Sequence, residues 1–336
     1  MATTDPFATL FDAMTCYQRT GALRAAVELD VFTAVAEGAD TAPALAARTG
    51  AAERGIRILC DTLAAWGFLR KTGERWALDP ELAPFLDGRS PTYVVRAIAF
   101  MASPLIWRAF GDAAAAVRRG GSVLGAEAAT APEHPVWVEF ARHMTPLARV
   151  TSEMLANMLD ADAGKPWQVL DVAAGHGLFG ITIAAHDPNA RVTALDWRPV
   201  LAVAEENARA AGVADRVRML PGDAFAVDWG TGWDLVLLTN ILHHFDEAGC
   251  VALLRKAHDA LVPGGRAVAV EFVPDESRAA PPQAASFALV MLAMTPGGDA
   301  HAFADYERMC RTAGFARIDL LPMPPPSPQH VVVATR

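Results

Sequence analysis

The chain has 336 residues, 52% of them hydrophobic and 20% charged, which excludes a disordered polymer and leaves room for two packed domains. A formal net charge of −9 argues against polyanion binding, so no nucleic-acid partner is expected. The longest nearly uncharged apolar stretch, around 284–294, is roughly half of a membrane span, and no basic-then-apolar leader opens the chain. No membrane partner and a cytoplasmic location follow as expectations.

From Phe7 to about Leu86 the pattern is helical with short loops. Residues 22–36 read as one amphipathic helix, Thr41 as the cap of a second, and 52–66 as a third that ends at Gly67. Residues 68–78 then read as a hairpin turning at Thr72 and Gly73. Three helices and a hairpin make a winged helix, a form that often reads DNA. Residues 1–90 carry 12 acids against 9 bases, and Arg54 and Arg57 alone make no basic stripe. Dimerisation is therefore the expected role of residues 1–95, with a ligand-sensing DNA regulator as the distant alternative. Four scattered cysteines (Cys16, Cys60, Cys250, Cys310) contain no CxxC pair and read as buried free thiols.

Residues 96–165 are helical again, interrupted at Gly120 and Gly121 and around 132–135. From Gln168 onward apolar strands alternate with helices: 168–172, 191–196, 216–220, 233–239, 266–272, about 316–321, and 330–335. That alternation predicts an α/β fold with a parallel, doubly wound sheet in 166–336. The proline-rich turn 322–328 joins the last two strands as an antiparallel edge hairpin, which fits methyl-transfer enzymes better than dehydrogenases.

The segment VLDVAAGHGLFG at 169–180 is a strand, a small-residue turn and a helix start, the local geometry that nucleotide-type ligands use. The next strand ends in Asp196, placed to take a ribose hydroxyl pair, and Trp197 could lie against an adenine face. Asp223 ends the third strand, where it can accept an adenine amino group, with Ala224 and Phe225 beside it. Together these predict an adenosyl cofactor. His176, inside the turn, is expected to pack or bond locally.

In this order the motifs resemble those of the class I S-adenosylmethionine-dependent methyltransferases. In detail they resemble the small-molecule O-methyltransferase family of plant caffeate-type and bacterial antibiotic-tailoring enzymes. The resemblance covers nearly the whole chain, because that family carries an N-terminal winged-helix dimerisation domain and forms homodimers. It implies S-adenosylmethionine as cofactor, with Gly175 and Gly177 near the methionine part, Asp196 at the ribose, and Asp223 and Phe225 at the adenine. Asp171, Trp197, Ala224 and Asn240 complete the expected cofactor set. It also makes residues 96–165 a helical linker that contributes to a substrate pocket.

His243 matches the family's general base in a His-Asp-Trp pattern, here His243-His244-Phe245. A neutral imidazole, with a reference pKa of about 6.5, suits proton removal from a phenol. Substrate positioning and a structural role are the alternatives for His243. The family's orienting glutamate falls on Ala300, with Asp299 and His301 as the candidates to substitute for it, and the gap leaves C- or N-methylation, or a non-methylating reaction, as rivals to O-methylation. The substrate set implied is Trp107, Phe140, His143, Met144, His244, Phe287, Met291 and Met294. The methionines at helical spacing can equally be core. Metal ligation by His243, His244 and Asp246 is not expected, because adjacent helical side chains diverge by about 100°.

Overall fold

The computed structural model describes residues 5–125 and 133–336. They form two compact units that divide between Ile106 and Trp107. In the first, Asp5 caps α1 (Pro6–Glu28), its side chain accepting the Phe7 N–H at 3.0 Å. The single helix expected at 22–36 is two. α1 stops at Leu29, Asp30 turns into the left-handed region at φ 54°, and α2 (Val31–Ala36) starts afresh. Asp is one of the few side chains that accept this conformation, so no glycine marks the break.

The Thr41 hydroxyl accepts the Ala44 N–H and caps α3 (Ala42–Thr49). Helix α4 (Glu53–Ala65) leads into the hairpin of β1 (Leu69–Thr72) and β2 (Arg75–Leu78). Phe32, Leu45, Ile56, Leu63 and Trp76 form the buried centre of this winged-helix unit. On α1, Phe7, Leu10, Phe11, Met14 and Tyr17 are each more than half exposed. All four thiols are free, as expected, but only three are buried; Cys16 is exposed on α1.

Short helices α5 (Ala83–Leu86), α6 (Ile98–Met101), α7 (Pro104–Gly111) and α8 (Ala113–Arg119) precede the long α9 (Val136–Met158). Pro135 stands at the start of α9; Pro132, the other end of the expected break, lies outside the described residues.

The second unit follows the α/β pattern read from the sequence. It runs β3 (Gln168–Val172), α10 (Leu178–His186), β4 (Arg191–Asp196), α11 (Arg198–Ala210), β5 (Val217–Pro221), β6 (Trp233–Leu237), α12 (Glu247–Ala260) and β7 (Leu261–Glu271). Then come α13 (Pro282–Met294), α14 (Phe303–Ala313), β8 (Arg317–Pro322) and β9 (His330–Thr335). The sheet order is β5-β4-β3-β6-β7-β9-β8, parallel except for β9 and β8 at the edge. Strands β3, β4 and β6 are buried nearly end to end, as a sheet covered by helices on both faces requires. The strand order reverses between β3 and β6, which opens a crevice at their carboxyl ends. Among the described residues no helix is long and apolar enough to cross a membrane.

Candidate active site

The turn between β3 and α10 places Ala173, Gly175 and Gly177 at positive φ (53°, 57° and 73°). Gly177 needs its freedom twice: it caps α10, and a Cβ there would lie 2.8 Å from that of Ala204. Ala173 holds the same region with a side chain, at a cost of about 1–2 kcal/mol. Asp171 is fully buried beneath the turn, one carboxylate oxygen accepting the Gly180 N–H at 3.1 Å. Burial pushes its carboxyl up to about 7. Asp171 is thus off the wall of the cleft and acts on the turn, not as the cofactor contact expected; Gly177 likewise serves helix packing.

Above the turn lies a cleft of about 1070 Å³, part of it open to solvent. Of the expected cofactor residues it is lined by Gly175, Asp196, Trp197, Asp223, Ala224, Phe225 and Asn240. Asp196 ties the tip of β4 to the turn: its carboxylate accepts the Gly175 and Trp197 N–H groups, both at 2.7 Å. Burial raises it to about 6. Asp223 accepts the Phe225 N–H at 2.8 Å, and Phe225 is 39% exposed at the rim with its ring edge-on to Phe245 at 4.9 Å.

Two supports were not read from the sequence. Lys256 donates to the carbonyls of Ala224, Phe225 and Val227 at 2.8–2.9 Å and fixes the loop after β5. Gln329 donates to the Asn240 side chain at 2.6 Å from the β8–β9 hairpin. A floor of small residues (Ala173, Ala174, Gly175, Gly222) between two carboxylates and exposed aromatic faces fits an adenosyl group.

His243 stands in the loop after β6 and is 4% exposed. Its Nδ1 lies 2.5 Å from Glu271 Oε2, and the other oxygen of Glu271 accepts the Leu242 N–H at 3.0 Å. Nε2 has no hydrogen-bond partner among the described residues. Burial, with the nearby His301, pushes the His243 imidazole down to about 3, towards its neutral form, and burial pushes Glu271 up to about 8.

The orienting acid is therefore the last residue of β7, not part of the 296–301 segment. Asp299 gives His243 a backbone contact only, its N–H donating to the His243 carbonyl at 3.0 Å, while its side chain pairs with Arg278. His301 lies 3.2 Å from the Phe245 carbonyl through Nε2. Neither side chain hydrogen-bonds the His243 ring. The adjacent Gly298 packs so close that a Cβ would stand within contact of the His243 carbonyl.

Of the expected substrate residues, Phe140 and His244 line the cleft, joined by Trp137, whose ring is edge-on to His244 at 5.1 Å. Phe287 stands edge-on to His243 at 4.8 Å and stacks on Phe272. Met291 and Met294 are buried core residues, and His143 Nδ1 is engaged with the Glu139 carbonyl at 2.9 Å. Met144 is half-buried and Trp107 is 37% exposed; neither is on the cleft wall.

A family model described as the O-methyltransferase domain matches residues 112–316, and one described as the O-methyltransferase dimerisation domain matches 11–81. The chain is 30% identical to acetylserotonin O-methyltransferase of Mus musculus, over 98% of this chain and 88% of that protein. It is 28% identical to 3-hydroxy-5-methyl-1-naphthoate 3-O-methyltransferase of Streptomyces sahachiroi, over 97% and 94%. A Nostoc punctiforme protein assigned provisionally as an O-methyltransferase has a similar crystal structure (46% identity, TM-score 0.91), covering 99% of this chain and 100% of that one. The chain belongs to the S-adenosylmethionine-dependent O-methyltransferases and carries that family's dimerisation domain.

Proposed function

We propose that this enzyme methylates a hydroxyl of a small aromatic or polyketide-like metabolite, with His243 as general base. The contact between His243 Nδ1 and Glu271 carries the reading. With Glu271 ionised, Nδ1 must hold the ring proton, which leaves the lone pair on Nε2 free to accept another. A phenol titrates near 10, so proton removal as its oxygen attacks is worth roughly 10²–10⁴-fold. Glu271 fixes the tautomer and offsets the imidazolium charge. Asp196, Asp223, Trp197 and Phe225 would hold the adenosyl end of the cofactor, with Gly175, Ala224 and Asn240 beside it. When bound, S-adenosylmethionine supplies the methyl group as an electrophile.

Trp137, Phe140 and His244 on the cleft wall, and Phe287 beside His243, suit a flat ring. Aromatic acceptors named for the relatives, acetylserotonin and a hydroxynaphthoate, have that shape. We further propose that residues 96–165 contribute to acceptor binding, that the chain forms a homodimer through α1 and its neighbours, and that it works in the cytoplasm. The exposed apolar face of α1 supports the second, and four free thiols support the third.

Methyl-labelled cofactor and a panel of phenolic acceptors test this reading. The label should appear on oxygen, and His243→Ala should lower turnover by at least about 10²-fold at saturating acceptor. Label on carbon or nitrogen, or full turnover by His243→Ala, contradicts it.

A further inference from the structure

The imidazole of His176 is part of the cleft wall yet takes no part in the chemistry above. It is 5% exposed, held between Phe140, stacked at 6.2 Å, and Phe179 at 6.0 Å. Its Nδ1 accepts the Leu178 N–H at 3.2 Å. Burial pushes the ring down to about 4, so it is neutral at working pH. A neutral ring whose Nδ1 is an acceptor carries its proton on Nε2. That nitrogen has no partner among the described residues and is not one of the sealed, orphaned side-chain atoms, so it keeps accessible surface. His176 therefore presents one fixed N–H donor to the cleft.

We propose that His176 Nε2–H binds the carboxylate of the cofactor's methionine tail. Two carboxylates, Asp196 and Asp223, stand at the adenosyl side, where hydroxyls and an amine need acceptors. The methionine tail offers a cationic amine, which only donates, and a carboxylate, which only accepts. The carboxylate alone matches a lone N–H. Among the described residues lining the cleft none is Lys or Arg, so a neutral donor buried between Phe140 and Phe179 carries weight that an exposed one would not. This inference rests on the cleft being the cofactor cleft.

Calorimetry with S-adenosylhomocysteine and with its analogue lacking only the carboxyl group tests the assignment. His176→Asn keeps an oxygen to accept the Leu178 N–H but loses the outer donor; His176→Gln restores a donor near Nε2. The Asn variant should bind S-adenosylhomocysteine about 10-fold more weakly and the analogue unchanged, while the Gln variant stays within about 2-fold for both. Equal weakening of both ligands by His176→Asn means the residue only shapes the turn and overturns the proposal, as does no weakening of either. In the unsubstituted protein, the Nε2–H proton resonance of His176 should move with S-adenosylhomocysteine and stay still with the analogue; movement with both or with neither also overturns it. Asp196→Ala should weaken both ligands. If it weakens neither, the cleft assignment itself fails, whatever the His176 variants do.

Discussion

A buried carboxylate beside a buried imidazole can hold its shared proton in two ways, and only one makes a base. The oxygen of Glu271 that accepts the Leu242 N–H leaves the second oxygen for His243 Nδ1. Glu271→Gln must keep a carbonyl oxygen towards Leu242, which turns its NH₂ towards Nδ1. The ring then has to accept at Nδ1 and carry its proton on Nε2, where it can no longer act as a base. We expect kcat to fall by roughly 10²–10⁴-fold while S-adenosylhomocysteine affinity stays within about 2-fold. Well above pH 8, where the wild-type Glu271 is ionised, nitrogen-15 shifts of His243 should show the tautomer exchanged in the variant; an unchanged tautomer with a reduced rate would contradict this role for Glu271.

Glu271 was not legible as the partner because it ends an apolar run, Ala267 to Val270, 28 residues from His243, and only the sheet brings them together. A signal was present all the same. An acid at the carboxyl end of a buried apolar run is costly unless paired, and His243 follows the neighbouring strand. Asp196 and Asp223 were legible for a simpler reason: each follows its own apolar run and faces the crevice directly.

At the scale of elements, the turn after β3 works because α10 sits close on β3 and β4. A Cβ on Gly180 would lie 2.6 Å from Val192 Cγ1 and 3.1 Å from the Asp171 carboxylate. Gly180→Ala should therefore cost about 1–3 kcal/mol, seen as a lower denaturation midpoint with an unchanged denaturant slope. An unaltered midpoint would mean the α10 packing is looser than described. The strands of this unit were readable in sequence because both faces are covered, giving continuous apolar runs with clear ends. The helix break at Asp30 was not, since its positive φ falls on a residue that also fits a helix. The stripe Phe287, Met291 and Met294 reads alike for pocket and core, and the structure separates it: the ring meets His243 while both methionines are buried in the core.

At the scale of the whole molecule, the apolar residues of α1 recur at positions 7, 10, 11, 14 and 17, one helix face that is exposed among the described residues. With a dimerisation domain matched at 11–81, a second copy is the natural cover. Phe11→Asp with Met14→Asp should convert a dimer into a monomer by light scattering without loss of helical circular dichroism; a variant that stays dimeric places the interface elsewhere. In the proposed mechanism a deprotonated His243–Glu271 pair removes the acceptor's proton. Because burial raises Glu271 to about 8, the basic form of the pair grows as pH rises. The most direct measurement is the pH dependence of single-turnover methyl transfer to a phenolic acceptor by the wild-type enzyme and by Glu271→Gln. The wild-type rate should rise through a midpoint near pH 8 and level off above it, and the variant should be slower by at least about 10²-fold and lack that rise. A Glu271→Gln enzyme that matched the wild type in rate and profile would contradict it.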